Sequence, residues 1–167
     1  MVILESMLTN RDIQNPRFRM QIRVATEADI PEMHCIRTSV RENRLGDPSL
    51  VQPGDYRAML AEHGRGWVAE SAGRIIGFAV ADLARRNVWA LFVDPAAEGR
   101  GAGRRLHDAM MDWMFAAGAE EVWLGTDPGT RAERFYRAAG WRYAGAQENG
   151  EVRYEMTREE WSARARR

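Results

Sequence analysis

The stretch from Val88 to Ala117 constrains the fold of this chain more than any other. Val88-Trp89-Ala90-Leu91-Phe92-Val93 is an unbroken apolar run that stops at Asp94-Pro95. Such a run predicts a strand buried on both faces. After the turn-rich Ala96-Ala97-Glu98 come Gly99, Gly101 and Gly103, and then an amphipathic stretch. Leu106, Ala109, Met110, Trp113, Met114 and Ala117 recur at helical spacing, with Gly118 placed to end the helix. A buried strand therefore runs through a glycine-rich turn straight into a helix. That arrangement aims unpaired backbone N–H groups and the positive end of the helix dipole at one spot, where a phosphate fits. Arg100, Arg104 and Arg105 add positive charge around it.

The kind of phosphate ligand can be narrowed by spacing. A dinucleotide fingerprint needs a third glycine where Arg104 stands. A P-loop needs Gly-Lys-Ser/Thr, and the chain has no lysine: its 24 basic residues are all arginine. No Gly-x-Ser-x-Gly element marks an α/β-hydrolase. Val93-Asp94-Pro95 followed by Glu98-Gly99-Arg100-Gly101-Ala102-Gly103 resembles the signature of the GNAT superfamily of N-acetyltransferases, Gln/Arg-x-x-Gly-x-Gly/Ala after a strand ending in Val-x-Pro. Glu98 departs from it, replacing the family's usual Gln or Arg. The resemblance runs from about Met20 to Met156. Phe135-Tyr136-Arg137-Ala138-Ala139-Gly140-Trp141 resembles the family's Phe/Leu-Tyr-x-x-x-Gly-Phe helix, while Gly129 stands where many relatives carry a cofactor-contacting asparagine.

The resemblance implies an α/β fold of the GNAT acyl-CoA N-acyltransferase type, with a mixed, mostly antiparallel sheet, one central β-α-β crossover and flanking helices. It implies acetyl-CoA as co-substrate and transfer of its acetyl group to a primary amine of a small molecule or peptide, by direct attack in a ternary complex. The loop Glu98, Gly99, Arg100, Gly101, Ala102, Gly103 and Arg104 would hold the pyrophosphate. Leu91, Phe92 and Val93 would line the pantetheine arm and the thioester. Tyr136 would touch the cofactor and protonate the departing thiolate. Many relatives carry a glutamate base four residues before the Val-x-Pro valine; here that position is Trp89, which cannot accept a proton. Trp89 and Arg41 are then the expected acceptor-binding residues, and water or Glu70 the expected proton acceptor. A non-catalytic acyl-CoA-sensing module stays open as the alternative.

Along the chain, residues 1–19 read as an N-terminal extension, 20–157 as the acetyltransferase domain and 158–167 as a short C-terminal helix. The predicted order is β, α, α, β, β, β, α, β, α, β, β. Capping boxes at Thr130-Arg131-Ala132-Glu133 and Thr157-Arg158-Glu159-Glu160 open the last two helices. The formal net charge is zero, giving no electrostatic support for nucleic acid or an anionic membrane. His34, His63 and His107 lack metal-ligand spacing, so no metal site is expected. Cys35, the single cysteine, reads as filler in a helix core. No secretory leader pattern is visible, so the expectation is cytoplasmic, with a homodimer left open.

Overall fold

The computed structural model describes residues 19–40 and 50–164. Seven strands form one sheet: β1 (Gln21–Val24), β2 (Gly64–Ser71), β3 (Arg74–Asp82), β4 (Asn87–Val93), β5 (Glu121–Thr126), β6 (Arg142–Ala146) and β7 (Val152–Thr157). Their order is β1-β2-β3-β4-β5-β7-β6, and β4 with β5 is the parallel pair among antiparallel neighbours. Among the described residues, five α-helices flank it: α1 (Ile30–Ser39), α2 (Pro53–Ala58), α3 (Ala102–Ala116), α4 (Arg131–Ala138) and α5 (Arg158–Arg164). The α2 helix continues as a π-helical turn, Met59–His63.

Two cores follow from the alternation of side chains across the sheet. On one face Leu106, Met110, Met111 and Met114 of α3 pack against Ala69, Ala79, Leu124 and Met156. On the other, Ile30, Met33 and Ile36 of α1 and Tyr56 of α2 pack on Val68, Phe78, Val80 and Ala90. Cys35 is not core filler: Ile30, Met33 and Ile36 form the buried stripe of α1, and Cys35 is exposed.

Two irregularities of β4 shape everything functional. Ala90 pairs with Val80 and Val88 with Ala81, so Trp89 is an extra residue in a β-bulge. Past the bulge the alternation is reset, and Trp89, Ala90 and Phe92 all contribute to the α1/α2 face. The second irregularity lies between β4 and β5. Their Cα register consists of Asn87 opposite Trp123 alone, and beyond it the strands part. The apolar run read as doubly buried is consequently half-open: Leu91, Phe92 and Val93 are only partly buried, because no strand pairs with their far side.

Candidate active site

The parting of β4 and β5 opens a cleft of about 760 Å³, a size suited to a cofactor-length ligand. One wall is Leu91, Phe92 and Val93 of β4, and the opposite wall is Ala132, Phe135 and Tyr136 of α4. Its end is closed by Glu98, Gly99 and the first turn of α3, and Ser39 at the end of α1 and Val40 just after it border it on the other sheet face.

The sequence makes the end of this cleft in small steps. Asp94 turns the chain after β4, its Oδ1 accepting a 2.9 Å hydrogen bond from the Ala96 N–H. Gly101 then caps α3 at φ 84°, a left-handed conformation costly for other residues, and no side chain caps the helix. The free N–H groups of a fifteen-residue helix therefore face the cleft. Gly103 is the telling glycine. It sits in the first turn, where glycine costs roughly 0.5–1 kcal/mol against alanine in a helix interior. A Cβ there would meet only Val93 Cγ2, at an ordinary 3.5 Å. Neither backbone nor packing demands glycine at Gly103, and its missing side chain leaves the cleft open at this end.

Tyr136 lines the other wall and is 6% exposed. Burial holds its hydroxyl well above the ordinary tyrosine range, so it stays protonated at neutral pH. No side chain among the described residues hydrogen-bonds it. Its ring is set by Trp141 at 5.8 Å and His107 at 6.4 Å between centroids. Thr130 caps α4 by accepting from the Glu133 N–H at 3.2 Å. The capping box is altered, however: Glu133 reaches the Gly129 N–H at 2.6 Å and also takes the Tyr154 hydroxyl at 2.7 Å. That ties α4 to β7.

The structure thus brings Leu91, Phe92, Val93, Glu98, Gly99, Gly101, Ala102, Gly103, Arg104 and Tyr136 to one cleft. Arg100 is exposed and does not line it. Glu98 forms an ion pair with Arg131 of α4, joining the loop after β4 to the helix across the cleft. Glu70 lies elsewhere, on β2, where its carboxylate accepts from Arg23 Nε at 2.8 Å. The same guanidinium grips Asp29 through two further bonds of 2.8 and 2.9 Å. Trp89 does not line the cleft itself; half-buried, it meets Tyr56 edge-on at 5.2 Å. Arg41 lies outside the described residues. Among the described residues no group of three His, Cys, Asp or Glu side chains could hold a metal, and no helix is long and apolar enough to cross a membrane.

Sequence reasoning missed Arg37. Its guanidinium covers the rings of Trp89 and Phe92, at 5.2 and 4.9 Å from their centroids. A cation placed seven residues into a helix carries no local signal of this, because its aromatic partners come from β4.

The sequence model of the Acetyltransferase (GNAT) family matches residues 30–141. The chain belongs to the GNAT acetyltransferase family and is an acyltransferase. Solved structures of the same fold include a ribosomal-protein-alanine N-acetyltransferase from Brucella melitensis, 23% identical at TM-score 0.67, covering 82% of this chain and 99% of that one. The PaiA N-acetyltransferase of Thermoplasma acidophilum, solved with coenzyme A, is 13% identical at TM-score 0.65, covering 83% and 99%. A spermidine N-acetyltransferase from Vibrio cholerae is 16% identical at TM-score 0.66, covering 90% and 99%. A search of curated protein sequences gives no match.

Proposed function

We propose that this chain transfers the acetyl group of acetyl-CoA to a primary amine of a small molecule or peptide, by direct attack within a ternary complex. The observation that carries the reading is the cleft itself. An uncapped helix N-terminus lies at one end, and a buried, protonated tyrosine is on its wall. Acetyl-CoA brings the chemistry of an activated acyl group, a thioester whose C–S bond breaks as the amide C–N bond forms.

The chain's residues divide the rest of the work. The N–H groups of the first α3 turn receive the pyrophosphate, with Arg104 beside them and with Gly103 leaving room. Leu91 to Val93 offer unpaired strand edge along the acyl arm, since β5 has already diverged. The Tyr136 hydroxyl gives its proton to the leaving sulfur and regains one from solvent. With Glu70 engaged by Arg23 on β2, the proton shed by the amine passes to water in the open cleft. The amine approaches on the α1/α2 side of β4, where Ser39 and Val40 border the cleft. The family resemblance of the fold to proteins acting on ribosomal-protein alanine and on spermidine supports an amine acceptor without choosing its size.

The test is thiol release from acetyl-CoA with a panel of amines, amino acids and peptides, followed by mass analysis of the products. Amine-dependent release, one acetylated product per thiol and intersecting initial-rate lines are the expected result. Acetyl-CoA binding with no release for any amine would identify a sensing module instead.

A further inference from the structure

Arg131 stands where helix formation does little to explain it. It is the first residue of α4, just behind the Thr130 cap, where the helix dipole favours an anion and disfavours a cation. Its side chain is 55% exposed and crosses the cleft to the Glu98 carboxylate, itself 37% exposed. An ion pair so open to water contributes little to stability. As a clasp between the two walls it is weak, and a weak pair is readily exchanged for a better one.

The position says which anion would be the better one. Among the described residues that line the cleft, Arg104 and Arg131 are the cations and Glu98 is the anion. Arg104 belongs to the first turn of α3 and lies along its own helix, with Nε 4.0 Å from Asp108 Oδ2. Arg131 comes from the opposite wall, and through Glu98 it reaches the loop that leads into the uncapped start of α3. A guanidinium offers parallel N–H donors to two oxygens, and it takes those of a phosphate as readily as those of a carboxylate. Glu98 is therefore the anion that the chain itself lays on this guanidinium, at the end of the cleft.

We propose that Arg131 is a phosphate-binding residue of the cleft and that Glu98 is the internal anion which a pyrophosphate displaces from it. This rests on the cofactor reading above and adds a second wall to it. The N–H groups of α3 hold the pyrophosphate from one side, and Arg131 of α4 holds it from the other. Displacement costs little, because the Glu98–Arg131 pair is solvated, and the incoming negative charge itself repels the Glu98 carboxylate. Glu98 and Arg131 thus act with opposite sign on the ligand although they bind each other.

The experiment is calorimetric titration of the full chain with coenzyme A and with 3′-dephospho-coenzyme A, which keeps the pyrophosphate and lacks the third phosphate. Arg131→Met keeps the aliphatic stem, Arg131→Lys keeps the charge without the fork, Glu98→Gln removes the competing anion, and thermal unfolding checks that each variant is folded. Arg131→Met should weaken both ligands by the same factor, about tenfold or more, with Arg131→Lys in between. Glu98→Gln breaks the same ion pair and should not weaken either ligand. That opposition separates the proposal from a clasp, since a clasp would be lost alike in both variants. Unchanged affinity in Arg131→Met, equal weakening in Arg131→Met and Glu98→Gln, or a loss that spares 3′-dephospho-coenzyme A would each overturn it. The wild-type titration keeps the two readings apart. A wild-type chain that binds neither ligand removes the cofactor reading, whereas wild-type binding that Arg131→Met leaves unchanged removes this proposal alone.

Discussion

The indole N–H of Trp141 donates to Nε2 of His107 across 2.9 Å, and both side chains are buried. On its other side His107 Nδ1 lies 2.9 Å from Asp108 Oδ1, so the ring is the neutral tautomer with its proton on Nδ1. The pair joins α3, whose first turn ends the cleft, to the residue that follows the α4 helix of Tyr136. It ties the end of the cleft to the wall that carries Tyr136.

That junction makes stability sensitive to acid. Burial disfavours the His107 cation and lowers its pKa, although Asp108 pulls the other way. Unfolded histidine titrates near 6.5. Below about that pH the unfolded chain binds a proton the folded chain refuses, so stability falls as pH drops toward the lowered value. Above it the effect vanishes. His107→Gln keeps an acceptor for Trp141 and removes the titration. Denaturant unfolding at pH 7.5 and 5.5 should show a smaller acid loss in the variant, at a cost of about 1 kcal/mol at the higher pH.

Gly103→Val places a branched side chain in the cleft without a backbone conflict, since Gly103 is helical and its Cβ direction is nearly open. The fold should survive, with a melting temperature close to that of the parent. Affinity for coenzyme A, measured by titration calorimetry, should fall by about tenfold or more, equivalent to 1.4 kcal/mol. Unchanged affinity would place the ligand elsewhere.

Glu98 brings a negative charge to the end of the cleft proposed to receive phosphates, and pairs there with Arg131. Glu98→Gln should therefore tighten coenzyme A binding by a few-fold at low salt, and the gain should shrink as salt screens it. Titrations at two ionic strengths test this directly.

The local grammar of the chain was readable, and the long-range grammar was not. The α3 helix and the turn before it follow from glycines and a helical stripe lying within thirty residues, and Tyr136 sits in a helix announced by Thr130. Trp89 shows the limit. Strict alternation would put it on the face of Leu91 and Val93, but the bulge opposite Val80 and Ala81 moves it to the α1/α2 face. A bulge is a property of two paired strands and leaves no mark in one of them. The role of Glu70 was hidden for the same reason: Arg23, which occupies its carboxylate, is 47 residues away. The Glu98–Arg131 pair and the seat of Arg37 on Trp89 and Phe92 likewise exist only once β4, α1 and α4 have been brought together.

The central claim is that Tyr136 delivers a proton to the departing sulfur, and single-turnover thiol release at saturating acetyl-CoA and amine reads that step without interference from product release. Tyr136→Phe removes one hydroxyl that no described side chain bonds, so the fold and the affinity for coenzyme A should be preserved. The single-turnover rate should fall by about 10²–10⁴-fold. A Phe variant that releases thiol at close to the wild-type single-turnover rate would contradict the account, leaving Tyr136 as packing and the proton to come from elsewhere.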